Sequence, residues 1–169
     1  MAHDHLHWME RAVTSAREAA EAGEVPVGAV LVDAFGKLIS EERNRTIQLT
    51  DPTGHAEILA LRSASREIGN YRLLNTTLYV TVEPCVMCMG AIIHARVARL
   101  VFGAFDHKWG AAGSLYDLST DGRLNHRIEI ISGVYEDRCR DLMQAFFQER
   151  RKHRSDNIFH PDQNARHRE

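Results

Sequence analysis

His55-Ala56-Glu57 heads the apolar run Ile58-Leu59-Ala60-Leu61. Thirty residues after His55, Pro84-Cys85-Val86-Met87-Cys88 opens a second apolar run through Ile92-Ile93. Thr77 to Val82, between the two motifs, is rich in β-formers and reads as a strand, and Val97 to Phe102 reads as another. Each motif therefore stands at the start of a helix, with strands alternating around both. That order implies a layered α/β sheet.

The rest of the chain extends the pattern. Trp8, Ala12, Ala16, Ala19 and Ala20 share one helical face, and Gly23 suits its end. Val25 to Val32 reads as a buried strand, Asp33-Ala34-Phe35-Gly36 as a turn, and Leu38 to Arg43 as the returning strand of a hairpin. A largely polar loop from Asn44-Arg45-Thr46 to Pro52-Thr53-Gly54 then delivers His55 to a helix expected to end near Ile68. Ile58, Leu61, Ala64 and Ile68 should face the core of that helix. Pro84 fits the first turn of the next one. Ile128 to Ile131 reads as a short fifth strand. A last helix is expected over Glu136 to Lys152, with Cys139, Leu142, Met143, Phe146 and Phe147 as its core-facing stripe. Residues 1–154 are expected to form a single domain, and 155–169 a polar, disordered tail.

The two motifs carry the chemistry. One imidazole and two thiols form a nitrogen–sulfur donor set of the kind that binds zinc. Cys139, the third and last cysteine, lies fifty-one residues beyond Cys88 with no ligand-like neighbour at short spacing. A structural zinc site is normally closed by a fourth protein ligand, whereas a catalytic one leaves that position to water. Three donors with an acid two residues from one of them thus read as an open, water-holding site. Zinc lowers the pKa of water from ~15.7 to about 7, and Glu57 is placed to take that proton without binding the metal. Taken singly, Glu57 is also what a first-turn helix acid looks like, and the cysteines could be inert buried thiols. The combination H-x-E with P-C-x-x-C favours chemistry.

Composition narrows the setting. At 169 residues and 44% hydrophobic, the chain can bury a sizeable core. No apolar run approaches the ~18 residues of a membrane span, and no secretory signal is visible. Three cysteines, two of them in a ligand motif, do not suggest a disulfide framework, so a cytoplasmic location is expected. The net charge of −2 argues against a globally basic nucleic-acid binder. The charge is uneven, however: residues 1–137 carry net −5 and 138–169 net +3, with Arg150, Arg151, Lys152 and Arg154 prominent. Such a run is either a solvated helix face or a phosphate contact.

The sequence resembles the zinc nucleobase deaminases, and among them the bacterial tRNA-specific adenosine deaminases. The likeness rests on Glu24-Val25-Pro26-Val27-Gly28-Ala29-Val30, Asn44, Asp51-Pro52-Thr53, His55-Ala56-Glu57, Asn70-Tyr71-Arg72-Leu73 and Thr77-Leu78-Tyr79-Val80-Thr81. It continues through Glu83-Pro84-Cys85-Val86-Met87-Cys88, Phe102-Gly103-Ala104, Gly110-Ala111-Ala112-Gly113-Ser114 and Asn125-His126-Arg127. The resemblance implies a three-layer α/β/α cytidine-deaminase-like fold, its mixed five-stranded sheet carrying helices on both faces. It also implies hydrolytic deamination of adenosine to inosine at the wobble position of a tRNA anticodon, by a homodimer with one zinc per chain.

Carried over residue by residue, it makes His55, Cys85 and Cys88 the zinc ligands and Glu57 the proton shuttle. Asn44, Ala56 and Pro84 fall beside the substrate base or ribose, with the Cys85 N–H near the attacking oxygen. Phe147, Arg150 and Arg151 become candidates to touch the anticodon loop, although Phe146 and Phe147 could both be packing residues. The family pattern is least closely followed at Phe105, His107 and Trp109, whose aromatics either stack on bases or cover a dimer contact. His107 reads as a solvated loop histidine rather than a further ligand. A deaminase of free guanine, cytosine or cytidine would share the zinc motif but is not expected to share Phe146-Phe147-x-x-Arg150-Arg151. A zinc-stabilised RNA-binding module without catalysis would have no use for Glu57.

Overall fold

The structure is a computed structural model that describes residues 4–159. Its elements in chain order are α1 (His5–Glu21), β1 (Gly28–Val32), β2 (Leu38–Arg43), α2 (Thr46–Leu49) and α3 (Ala56–Ile68). They continue with β3 (Thr77–Val82), α4 (Val86–His94), β4 (Arg99–Ala104), β5 (Glu129–Ile131) and α5 (Glu136–Phe159).

The strands form one mixed sheet in the order β2-β1-β3-β4-β5. β1 pairs antiparallel with β2 and β3, while β3–β4 and β4–β5 are parallel. Strand alternation divides the core between two faces. Ala29, Leu31, Leu78, Val80, Leu100 and Phe102 meet Ala60 and Ala64 of α3 and Met89 and Ile92 of α4. Val30, Val32, Tyr79 and Val101 point the other way, onto Met9, Ala12 and Val13 of α1 and Cys139 of α5. Each fully buried large apolar side chain contributes ~1.5–3 kcal/mol, so Leu31, Leu78, Leu100 and Phe102 hold α3 and α4 firmly in register. The three layers expected from the sequence are present.

α1 lies so close to β1 that a Cβ at Gly28 would overlap the Ala12 carbonyl oxygen. Glycine is required there by contact, not by backbone conformation.

Several boundaries and faces differ from the sequence reading. β1 starts at Gly28 rather than Val25, and β4 covers Arg99–Ala104 rather than Val97 to Phe102. The polar loop after β2 contains the short helix α2. Ile68, expected in the core, is 46% exposed because α3 ends there, with Gly69 in a left-handed conformation. On α5, Cys139 and Phe146 are buried, Leu142 and Met143 are half-buried, and Phe147 is exposed. That helix runs to Phe159, past the expected boundary at 154, and the rest of the expected tail, 160–169, lies outside the described residues.

Candidate active site

The donor residues converge because both motifs occupy helix starts on one face of the sheet. His55 is the N-cap of α3 and Cys85 the N-cap of α4, each with extended backbone and no side-chain cap bond. Their side chains are thus left for other work. The His55 Nδ1 atom lies 3.5 Å from Cys88 Sγ and 3.8 Å from Cys85 Sγ. Tetrahedral zinc, with Zn–S of ~2.3 Å and Zn–N of ~2.0–2.1 Å, requires sulfur and nitrogen about 3.6 Å apart. The spacing fits. Among the described residues these three form the group able to hold a metal ion.

The thiols are electrostatically unequal. Their mutual hydrogen bond, helped by one to His55, holds Cys85 down at about 4. The same bond, together with burial, pushes Cys88 strongly upward. A bound dication would replace these interactions as the partner of both sulfurs. His55 is raised, first by its bond to Cys85 and then, against desolvation, by the charges of Glu57 and Cys85.

Glu57 lies in the first turn of α3 and is buried. Burial is the main reason its carboxyl is pushed up to about 7. Its Oε2 atom is fully buried with no hydrogen-bond partner. An orphaned carboxylate oxygen beside a metal-type donor set is free to serve something held there.

A pocket of about 680 Å³ opens over this group, lined in part by Asn44, His55, Glu57, Cys85, Trp109 and Tyr116. Asn44 reaches it from the end of β2 and accepts the Ala56 N–H on Oδ1 at 2.8 Å. Its amide NH₂ is the group left for the pocket. Ala56 and Pro84 are buried next to the donor residues they flank.

Two buried carboxylates that the sequence reading passed over hold the walls. Glu24 accepts the Gln48 N–H at 2.8 Å, the Ile47 N–H at 3.2 Å and the Thr46 hydroxyl at 3.0 Å, and so anchors α2. Burial alone would raise its pKa, but these bonds prevail and leave it lowered. On the opposite side, Glu83 accepts the N–H groups of Asp106, Ala112 and Ser114 at 2.9–3.0 Å, and the Ser114 hydroxyl as well. The available signal was an acid at the edge of an apolar run: Glu24 before Val25, and Glu83 directly after Val82.

The α5 candidates stand apart from the pocket lining. Met143 reaches the pocket, and Phe147 lies one turn further along the helix. Arg150 donates to the Gly23 carbonyl at 3.4 Å and lies over the Phe146 ring, 5.1 Å from its centroid. Phe105 packs edge-on against Phe102, and His107 is stacked on Phe105.

Comparison with known proteins agrees with this geometry. The family model for the cytidine and deoxycytidylate deaminase zinc-binding region matches residues 2–104. That match defines the class as deaminases built around a zinc-binding region. The tRNA-specific adenosine deaminase of Haemophilus influenzae is 52% identical over 144 residues, covering 85% of this chain and 83% of that protein. A solved structure from work on A-to-I editing by tRNA:A34 deaminases at the wobble position of transfer RNA has 43% identity and a TM-score of 0.78. It covers 80% of this chain and 98% of its own. Guanine deaminase from Nitrosomonas europaea shares the fold with a TM-score of 0.73 at 25% identity, over 86% of this chain and 85% of that one. The chain belongs to the cytidine and deoxycytidylate deaminase family and, within it, to the tRNA-specific adenosine deaminases.

Proposed function

We propose that the pocket over His55, Glu57, Cys85 and Cys88 is where this deaminase converts adenosine to inosine at the wobble position of a tRNA anticodon. The observation that carries the reading is the orphaned, buried Glu57 oxygen beside a three-donor nitrogen–sulfur set. The 52% identity to a tRNA-specific adenosine deaminase supplies the substrate class. His55 Nδ1 and the two thiolates would hold zinc, which when bound supplies the acidity that makes water a nucleophile near pH 7.

The chain's own residues do the rest. Glu57 takes a proton from the attacking water and returns it to a ring nitrogen of adenine as the oxygen adds at C6. The C6–N bond then breaks as the proton remaining on the added oxygen passes through Glu57 to the departing amine, so adenosine and water become inosine and ammonia. The Asn44 amide and the Cys85 N–H orient the base and the attacking oxygen, with Ala56 and Pro84 shaping the surrounding wall. Phe147, Arg150 and Arg151 extend the contact along the anticodon loop.

The activity belongs to a single domain that includes α5, acting as a cytoplasmic homodimer. Among the described residues no helix is long and apolar enough to cross a membrane. Tyr71 and Met87, both exposed, line an open groove between α3 and α4 that a second copy could cover.

The deciding assay measures inosine and ammonia from a tRNA with adenosine at the wobble position, beside free adenosine, cytidine and guanine. Inosine from the tRNA alone is expected. Turnover of free guanine or cytidine in preference to the tRNA would overturn the assignment.

A further inference from the structure

Trp109 is 70% exposed at the mouth of the pocket. A lone exposed apolar residue needs no explanation, but this one is displayed on a built support. The Glu83 carboxylate ties down the amides of Asp106, Ala112 and Ser114 on either side of it. Asp106 Oδ1 accepts the N–H groups of Lys108 at 3.0 Å and of Trp109 itself at 3.2 Å. The next residue, Gly110, bridges to Cys85, and a Cβ there would overlap the Glu83 carboxylate and the Asp106 carbonyl oxygen. The Ala111 N–H donates to the Pro84 carbonyl at 2.8 Å. The backbone that carries the indole is therefore tied to the same Glu83-Pro84-Cys85 segment that carries one of the metal-type donors.

Of the pocket's own aromatics, Tyr116 is 55% exposed and Trp109 more so, while the two other aromatics of the Trp109 loop are committed elsewhere. Phe105 packs on Phe102, His107 stacks on Phe105, and neither lines the pocket. Among the described residues no aromatic ring or guanidinium stacks on Trp109, so its face is open.

We propose that Trp109 is a stacking platform for the nucleobase next to the target adenosine. This rests on the reading of the pocket given above. A base drawn into the pocket must leave its stack, which exposes a face of its neighbour. An indole carried on an anchored backbone at the rim offers that neighbour a replacement surface with little backbone ordering at binding. Stacking of this kind tolerates any base, so the platform contributes to binding of the loop rather than to choice of sequence.

The test uses the full-length protein and an anticodon stem-loop RNA with adenosine at the wobble position. Two further RNAs carry an abasic site on its 5′ or its 3′ side. Wild-type protein is expected to form inosine on the intact RNA. Trp109→Ala should raise KM by roughly 5- to 150-fold, with kcat much less affected and the melting temperature unchanged. Trp109→Phe should restore most of the binding. One of the abasic RNAs should weaken wild-type binding and weaken Trp109→Ala binding no further.

An unchanged KM in Trp109→Ala would overturn the proposal. So would a drop in melting temperature that accounts for the loss, or abasic penalties that add to the mutation at both positions. Absence of inosine with wild-type protein would instead overturn the functional reading beneath it.

Discussion

The side-chain oxygen of Asn44 accepts the backbone N–H of Ala56 at 2.8 Å. This bond satisfies one of the donors left unpaired at the start of α3, one residue after His55 and one before Glu57. It also fixes which end of the amide faces the pocket. A single side chain thereby couples helix placement to the lining of the pocket.

The coupling can be taken apart by substitution. Asn44→Ala should cost about 1–3 kcal/mol, because it leaves a buried N–H unpaired, and should also raise KM. Asn44→Asp keeps the acceptor but not the NH₂ donor. It should melt close to wild type while losing kcat/KM for the anticodon stem-loop. Wild-type kcat/KM in Asn44→Asp would limit this residue to holding the helix.

Metal content tests the donor set. Purified protein should carry one zinc per chain, and Cys88→Ala should lose most of it because only two of the three donors remain. Chelation should lower the melting temperature of the wild type, since zinc binds the folded donor set preferentially. Full zinc retention by Cys88→Ala would dismiss the site.

Glu57→Gln keeps the shape of the side chain and removes its proton chemistry. The variant should retain zinc and melt near the wild-type temperature, while inosine formation falls by about 10²–10⁴-fold. Substantial activity in it would exclude Glu57 as the proton carrier.

Glu24 gives a stability prediction with a definite sign. Its folded pKa is depressed, with the bonds from Gln48, Ile47 and Thr46 outweighing burial. The stabilisation is therefore present above the unfolded carboxylate pKa of ~4.3 and lost as pH falls through the lower folded value. Glu24→Gln should be less stable than wild type by about 1–3 kcal/mol at pH 7, with the gap narrowing in acid. A gap that widens on acidification, read by denaturant melts across pH, would contradict the assignment.

The basic end of α5 calls for two variants. If Arg150 and Arg151 meet phosphate, replacing both with alanine should flatten the log–log salt slope of tRNA binding by about 0.7–0.9 per lost contact. Arg150→Ala alone should also lower the melting temperature slightly, because that guanidinium bonds to Gly23 and covers Phe146. An unchanged salt slope in the double variant would leave these arginines a purely structural role.

The sequence by itself determined the layered α/β class, the helix starts that present His55 and Cys85, and the grouping of His55, Glu57, Cys85 and Cys88. Within each motif those features are local, donor spacing within a turn and a switch from strand to helix periodicity, while the pairing of the two motifs rests on their combined signature. Only the tertiary structure decided what Glu24 and Glu83 do, since each acts on backbone N–H groups more than twenty residues away. It likewise decided that Phe146 is buried and Phe147 exposed, that Ile68 falls outside the core, and that Arg150 faces Gly23. Periodicity places these residues on neighbouring sides of a helix. Which side is covered depends on where the sheet and the neighbouring elements pack and where each helix ends, and no short stretch of sequence carries that information.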